Sequence, residues 1–325
     1  MKRSICLLAI LFLIGGFTSN ALAAKKPIKL KGVQFLNIGN PSEKGYHLFV
    51  DLVNKGAKGE LVIDIVGGPE SIPGRKQAEA VRSGAVDFCF VPCGWYAANV
   101  PAAAVQGLSR IDILEGRKNG FHDFLVEQHK KAGIRFIGAN DQSGAFNMFS
   151  AKPINSPKEL KGMRFRHSPT YSFFKGIGII GITARHSDLY SGLERGLFTG
   201  LCTKLGTFLK LSLPEVCKYI VGPGFWPNYS TGTLMNEAKY QSLPKHLQNL
   251  IQDAELKTEQ QLGGIMAPTI AGWNKDADKK GMKRIAWSPE ETKAYLDRID
   301  KLSWDHRVKK LPPGMGDKMK GMMGL

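Results

Sequence analysis

The sequence is short of long apolar runs, of cysteines and of acidic residues. Beyond the first 25 residues no run of about 18 apolar residues occurs, which excludes a bundle of transmembrane helices. Five cysteines among 325 residues are too few for a disulfide-rich scaffold. The 28 Asp and Glu residues fall short of the 45 Lys and Arg residues, so the formal net charge is +17. Internal repeats of about 20–50 residues, which would mark a solenoid, are also missing.

The composition and length indicate a globular protein with two domains. Hydrophobic residues make up 43 % of the chain, which suits a packed core and is too high for a disordered chain. A single core rarely grows beyond about 250–300 residues, so 325 residues predict two domains. The excess positive charge either forms a solvated surface or attracts an anionic ligand or acidic partner. We expect no nucleic-acid partner, because no basic run is interleaved with aromatic residues.

The N-terminal 23 residues have the pattern of a secretory signal peptide. Lys2 and Arg3 precede an uncharged apolar run, residues 5–16, that is too short to span a bilayer. Ala21-Leu22-Ala23 matches a small-x-small cleavage site, so the mature chain would begin near Ala24. We therefore expect an exported protein. Losing the two basic residues of the leader lowers the net charge from +17 to +15.

The four cysteines of the mature chain are interpreted as structural. Cys89 and Cys93 would lie about 13 Å apart on one strand, which is too far for a disulfide. Cys202 and Cys217 could pair, since an exported chain can keep disulfides. Their spacings do not match the repeated C-x2-C pairs of a zinc site. We expect neither a metal ion nor a cofactor.

The hydrophobic periodicity predicts alternating strands and helices along the mature chain. The predicted strands are residues 28–36, 61–66, 86–91, 134–139, 146–150 and 163–166. The first predicted helix is capped by Ser42, and the last begins with a capping box at Ser288. The other predicted helices span residues 77–82, 117–131, 171–178, 187–195 and 246–277. This alternation predicts parallel βαβ units. Gly263-Gly264 and Pro268 predict a kink in the long helix, and the methionine-rich tail is expected to be peripheral or frayed.

No motif supports catalysis. Residues 176–181 match G-x-G-x-x-G, but a predicted helix precedes them, whereas a dinucleotide site needs a strand there. The seven histidines form no H-E-x-x-H pair, and no G-x-S-x-G elbow is present. An exported enzyme using His186 with Asp188 is the alternative, and it lacks an activated nucleophile. We expect a protein that is not an enzyme.

Two arginines mark a candidate binding site at the end of a predicted strand. Arg164 and Arg166 flank Phe165, so both point to one face. The strand runs into a loop, and the carboxyl ends of strands in open α/β sheets are where ligands bind. A planar guanidinium there can pair with a carboxylate or a sulfonate through two hydrogen bonds. The alternative is that both arginines are surface charges on an exposed edge.

The segment that contains these arginines carries a family resemblance. Residues 153–166, PINSPKELKGMRFR, resemble the signature of the DctP-type family, the periplasmic solute-binding proteins of TRAP transporters. Ser187-Asp188-Leu189-Tyr190 resembles the S-E-V-Y of that family, and residues 71–87, 234–236 and 242–244 are similar to it in the same order. The similarity covers nearly the whole mature chain. It implies an α/β fold of two lobes joined by crossing strands and a long kinked hinge helix, with a ligand cleft between the lobes.

The resemblance also implies a domain division and residue roles. We place lobe 1 at residues 24–144 plus 231–270 and lobe 2 at residues 145–230 plus 271–325. The family arginine that binds the ligand carboxylate corresponds to Arg166. His186 precedes the family's S-E pair and would line the cleft, and Thr203 stands where the family has a ligand-facing asparagine.

The chain departs from the family pattern in ways that make the predicted pocket apolar. Thr199 and Cys202 stand where the pattern G-x-x-D-G-x-E-N has its acids, and Phe146 stands where some sialic-acid-binding relatives have a second arginine. Trp95 and Trp226 would add apolar walls. The predicted ligand-binding residues are Arg166, His186, Phe146, Trp95, Asn37, Thr203 and Trp226.

These expectations combine into one function. The chain would be the periplasmic solute-binding subunit of a TRAP-type secondary transporter, capturing a small organic anion for the small and large permease subunits. One arginine fork predicts a compact monoanion, or a keto- or hydroxy-acid. Two alternatives stay open: a small sulfonate such as isethionate, and a four-carbon dicarboxylate. For the latter, Arg164 or Arg185 would turn inward to bind the second acid group.

Overall fold

The computed structural model describes residues 26–167, 172–185, 188–226 and 229–325 and contains two β-sheets surrounded by helices. The strands are β1 (Ile28–Gln34), β2 (Leu61–Gly67), β3 (Phe88–Pro92), β4 (Ile134–Gly138), β5 (Phe146–Ser150), β6 (Arg164–His167), β7 (Ile180–Thr183), β8 (Gly200–Lys204), β9 (Tyr219–Phe225), β10 (Thr231–Asn236) and β11 (Lys283–Ile285). The α-helices are α1 (Lys44–Gly56), α2 (Gly74–Ser83), α3 (Ala103–Gln106), α4 (Ile113–Lys118), α5 (Phe121–Lys130), α6 (Leu189–Glu194), α7 (Leu205–Lys210), α8 (Glu237–Ser242), α9 (Lys245–Lys279), α10 (Pro289–Arg307) and α11 (Met315–Met323). The predicted signal peptide and His186 lie outside the described residues.

The first sheet is mixed rather than wholly parallel. Its strand order is β2-β1-β3-β10-β4. The strand β1 runs parallel to β2 and β3, as the βαβ pattern predicted, but β10 runs antiparallel to β3 and β4. The βαβ pattern concerns strands that follow one another within one sheet. The strand β10 instead enters the first sheet from β9 of the second sheet, so the pattern does not set its direction.

The second sheet has the order β11-β9-β5-β8-β6-β7. The strand β5 is antiparallel to both β8 and β9, while β6 is parallel to β7 and β8. The G-x-G-x-x-G residues make a helix-to-strand turn here. Gly178, with φ +82°, ends a short 3-10 helix, and β7 begins at Ile180. The glycines therefore end a helix and precede a strand, whereas the glycines of a dinucleotide site follow a strand and begin a helix.

The long helix α9 links the two lobes. On the side of the first sheet it packs on the strand β4 and the helix α1, and on the side of the second sheet it packs on the helix α7. Gly206 lets α7 approach, because a Cβ there would lie 2.5 Å from the Trp273 ring. The 35-residue helix continues through Gly263, Gly264 and Pro268, and a bend at that point stays a prediction. Within the described ranges, no helix is both long enough and apolar enough to cross a membrane.

The C-terminal part folds as two packed helices. The predicted capping box opens α10: Ser288 Oγ accepts a hydrogen bond from the Glu291 N–H at 3.1 Å, and the Glu291 carboxylate accepts from the Ser288 N–H at 3.3 Å. The expectation of a frayed tail is wrong. Met319 and Met323 of α11 are fully buried, because their spacing of four residues forms an apolar stripe that packs on the first-sheet side, with α5.

The chain crosses between the two sheets at three places before α10. Residues 139–145 lead from β4 to β5, residues 226–230 lead from β9 to β10, and α9 makes the third crossing. We keep the division into two lobes as a proposal, with α11 placed beside lobe 1.

Cys202 and Cys217, which the sequence left open as a possible disulfide, are buried thiols that form no disulfide, and burial raises the pKa of both.

Candidate functional site

A cavity of about 270 Å³ lies between the two sheets, beside the crossing segments. Its first-sheet wall includes Phe35 and Trp95, which follow β1 and β3. Its second-sheet wall includes Arg166 and Lys204, at the ends of β6 and β8. The end of α10 closes one side through Arg307. The cavity therefore occupies the position where strand ends of α/β sheets present side chains to ligands.

The structure brings most of the predicted site residues together. Five of them line the cavity: Trp95, Phe146, Arg166, Thr203 and Trp226. Asn37 lies in an exposed turn outside the cavity lining, where its backbone carbonyl accepts a hydrogen bond from the Asn40 N–H at 3.1 Å. His186 lies outside the described residues.

Arg166 is the half-buried arginine of the cavity wall. Its Nε donates a hydrogen bond to the Ala184 carbonyl at 3.2 Å, which fixes the plane of the guanidinium. Arg164, two residues earlier, is exposed and donates through Nη2 to the Gly196 carbonyl at 2.8 Å. Neither Arg164 nor the exposed Arg185 contributes to the cavity lining. Of the arginines near the strand end, Arg166 is the one placed to meet a ligand.

Lys204 is a second cation in the cavity wall that the sequence did not reveal. Its Nζ donates to Asp141 Oδ2 at 2.8 Å and to Ser143 Oγ at 3.1 Å, and it lies 5.4 Å from the centre of the Phe146 ring. Lys204 ends β8, directly after Thr203, and was not among the predicted site residues. No strand was predicted at residues 200–204, so the strand-end pattern that indicated Arg166 did not indicate Lys204.

Asp141 holds Lys204 in place. Its Oδ1 accepts from the Ser143 N–H at 2.9 Å and from Ser143 Oγ, and its Oδ2 accepts from Lys204 and, at 3.3 Å, from Ser230 Oγ. These contacts use all four acceptor positions of a carboxylate. Burial alone would raise the pKa of Asp141, but the Lys204 ammonium and the Ser143 hydrogen bonds outweigh it and hold the pKa below its ordinary value. The Asp141 carboxyl therefore favours its ionised form.

Trp95 forms the aromatic wall on the first-sheet side. Its ring meets Phe35 edge to face with centroids 5.7 Å apart, and the Arg75 guanidinium lies 5.1 Å from the ring centroid. Gly74 permits this approach, because a Cβ there would lie 2.6 Å from the indole. The wall is thus an aromatic ring backed by a cation.

Trp226 forms the corresponding wall on the second-sheet side. It is 3 % exposed and has a φ of +48°, an uncommon backbone conformation for a bulky side chain. Its Nε1 donates to Asp300 Oδ1 at 2.9 Å, and the Arg307 guanidinium lies 5.0 Å from its ring centroid. Residues packed and bonded in this way can hold a strained backbone in place at a ligand site.

Cations outnumber acids around the cavity, so the expectation of one strong cation is wrong. The cationic lining residues are Arg75, Arg166, Lys204, Arg307 and Lys310. The carboxylate among the lining residues is that of Asp141, which Lys204 already pairs with. Arg75 and Lys310 are exposed at the opening, and Arg307 is half-buried. The cleft therefore has a positive potential that attracts anions.

Two buried acids of α9 fasten the hinge helix behind the cavity. Glu259 forms an ion pair with Arg117 and accepts a hydrogen bond from the Ala139 N–H at 3.2 Å, at the start of the first crossing segment. Burial raises the pKa of Glu259 to about 7 and raises that of Glu255 as well.

Within the described ranges, no group of three His, Cys, Asp or Glu side chains could hold a metal ion.

Known proteins share the fold and much of the sequence pattern. The family described as DctP, bacterial extracellular solute-binding protein, family 7, matches residues 33–308. A solute-binding protein of Albidiferax ferrireducens is 21 % identical over 277 residues, which are 79 % of this chain and 78 % of that protein. A TRAP periplasmic solute-binding protein from Desulfovibrio salexigens, solved with orotic acid, has a TM-score of 0.78 at 18 % identity, over 91 % of this chain and 97 % of its own. Bordetella pertussis DctP7, an extracytoplasmic solute receptor that binds pyroglutamic acid, has a TM-score of 0.77 at 16 % identity, over 91 % and 99 %.

Proposed function

The chain belongs to the DctP family of TRAP periplasmic solute-binding proteins, and from this premise we propose that it captures a small organic anion at Arg166. The family consists of solute-binding transport proteins, not enzymes. The observation that carries the proposal is the position of Arg166, half-buried in the wall of the cavity and oriented by the Ala184 carbonyl. A carboxylate fits the two-pronged donor that an oriented guanidinium presents.

The ligand in this proposal is a compact carboxylate, keto-acid or hydroxy-acid. Two relatives of the same fold bind orotic acid and pyroglutamic acid, each of which carries one carboxyl group on a small ring. A cavity of about 270 Å³ between aromatic walls suits a ligand of that size. A small sulfonate would fit the same fork, and the surplus of lining cations keeps a four-carbon dicarboxylate among the candidates to be tested.

The proposed partners and location follow from the family. The small and large membrane subunits of a TRAP permease would receive the ligand from the closed protein. Removal of the first 23 residues as a signal peptide would place the mature chain in the periplasm, which agrees with the charged start and the Ala21-Leu22-Ala23 site.

The test is to denature the purified protein and identify by mass spectrometry the small molecule that is released. We expect the released molecule to be an organic acid. When the same acid is added back to the refolded protein and released a second time, we expect to recover it unchanged. A neutral molecule in the cleft would contradict the Arg166 anchor. Conversion of the acid into another compound would contradict a binding protein without catalysis.

A further inference from the structure

Resting on the proposed function, we propose that Lys204 and Asp141 form a second ligand-binding subsite, which takes a neutral hydrogen-bonding group rather than a second carboxylate. The first subsite, at Arg166, binds the acid group of the ligand. The second would receive a carboxamide, a ring carbonyl or a hydroxyl oxygen of the same molecule. The proposed ligand class is therefore a monoacid with one further hydrogen-bond acceptor.

The Lys204 ammonium has one donor to spare. Lys204 and Asp141 are 7 % and 6 % exposed, and both line the cavity. A lysine ammonium has three N–H groups. Among the described residues, Asp141 and Ser143 accept two of them, and the Phe146 ring lies against another side of the ammonium. The remaining N–H can serve an acceptor on a ligand in the cavity.

The donor is fixed before a ligand arrives. Asp141 is itself held by Ser143 from the first crossing segment and by Ser230 from the second. The lysine side chain therefore has little rotamer freedom left to lose on binding, which favours a contact made with good geometry. An exposed lysine would lose that freedom only when the ligand binds.

The charge of Asp141 decides which group the subsite accepts. Because the N–H groups of an ammonium diverge tetrahedrally, an oxygen of a second carboxylate on the spare N–H would lie about 4.5 Å from Asp141 Oδ2. Repulsion from Asp141 would offset more than half of the attraction to Lys204, while the carboxylate would lose its hydration shell. A neutral oxygen loses less hydration, meets less repulsion from Asp141 and still accepts a charge-assisted hydrogen bond from the ammonium. The ion pair thus offers a hydrogen-bond donor, while the charges of Lys204 and Asp141 sum to about zero.

The other cations of the cleft do not replace this donor. Arg75 and Lys310 are exposed at the opening, where water screens their charges. Arg307 lies against the Trp226 ring and donates to the Ala104 carbonyl at 3.3 Å. Their common effect is to draw anions toward the cleft, which raises the rate of encounter more than it selects the second group of the ligand.

The subsite adjoins a departure from the family pattern. Lys204 directly follows Thr203, and Cys202 and Thr203 are two of the positions at which the sequence departs from that pattern. Together with Asp141, Lys204 lines the same cavity as Arg166.

The test compares matched acids that differ in one charge. Isothermal titration calorimetry of the purified chain would measure malonamate against malonate, succinamate against succinate and glutaramate against glutarate. We expect at least one monoamide to bind about tenfold tighter than its diacid. Diacids that bind as tightly or tighter in every pair would overturn the inference, as would a failure of every monoamide to bind.

A variant tests the role of the Asp141 charge. Asp141→Asn keeps the size of the side chain but leaves Lys204 with its full charge, so we expect the preference to shift toward the diacid by about tenfold. Asp297→Asn removes the same charge from the exposed face of α10 and should leave the preference unchanged. An unchanged preference in Asp141→Asn, with a native circular dichroism spectrum, overturns the inference. The wild-type comparison decides on its own if that variant does not fold.

The two proposals fail in different ways. If the diacid binds more tightly than the monoamide in every pair but binding still requires Arg166, the proposed function stands and the neutral subsite is wrong. If no organic acid binds and mass spectrometry finds no acid, the proposed function fails as well.

Discussion

Replacing Arg166 by alanine is expected to abolish tight binding while the fold survives. The side chain is half-buried, and its Nε donates a hydrogen bond to the Ala184 carbonyl, whose oxygen water can reach at this depth. The loss falls on the ligand, whose acid group would lie in the cleft without its two-pronged donor. Removing one partner of a buried, hydrogen-bonded charge pair costs about 2–5 kcal/mol.

The half-buried position of Arg166 sets the size of the effect. Water reaches part of the guanidinium, so the cost belongs at the lower end of that range. We expect a loss of about 2–3 kcal/mol, which corresponds to a roughly 30- to 150-fold weaker Kd. Arg166→Lys should lose a similar amount, because one ammonium cannot reproduce the planar pair of donors or the hydrogen bond from Nε.

Calorimetry with the acid released from the protein measures this loss. Arg164→Ala is the matched control, since it removes an arginine from the same strand but outside the cavity lining. The control should bind within about threefold of the wild type, because an exposed charge contributes little. An Arg166→Ala protein that binds as tightly as the Arg164→Ala protein would refute the role of Arg166 as the anchor.

Three further predictions concern motion, charge and acid stability. Ligand should reduce the radius of gyration measured by small-angle scattering, since two lobes joined by a hinge close on their ligand, and an equal radius with binding verified by calorimetry would count against closure. Arg75→Gln with Lys310→Gln should lower the association rate several-fold in about 20 mM salt but not in 0.5 M salt, with the dissociation rate nearly constant in stopped-flow measurements. Burial lowers the pKa of His129 to about 4, so its neutral form stabilises the fold above the unfolded pKa of about 6.5, and this contribution is lost as the pH falls toward 4. Between pH 8 and pH 5 the free energy of unfolding of the wild type, measured with urea, should therefore fall by about 2 kcal/mol relative to that of His129→Gln. A difference between the two proteins that does not change with pH would contradict the neutral, buried histidine.

Local patterns predicted the elements that depend on local contacts. The strand β5 has the predicted bounds, and the capping box at Ser288 forms in both directions. Each of these features is decided by residues within four positions of one another. The place of Arg166 at a strand end followed from the same kind of pattern, together with the family signature.

Features that depend on distant residues were not predicted from the sequence. Asp141 and Lys204 are 63 positions apart, and nothing near either residue shows that the other will neutralise it. The methionine-rich tail was expected to be peripheral or frayed, and it forms the helix α11. It is ordered by packing on α5 and by the hydrogen bond from the Arg110 N–H to the Met323 carbonyl at 3.0 Å.

The ion pair that receives the ligand also belongs to the hinge. Asp141 lies on the crossing segment between β4 and β5, Ser230 lies on the segment that returns to β10, and Lys204 ends β8. A rotation of one lobe against the other must involve α9 and the two crossing segments, and these two segments are joined by the hydrogen bond between Ser230 and Asp141. A ligand that takes the spare N–H of Lys204 while its acid group is held by Arg166 thus contacts both the binding wall and the hinge network. Recognition and closure would then depend on the same side chains, so an acid that binds Arg166 but lacks the second acceptor should bind without full closure.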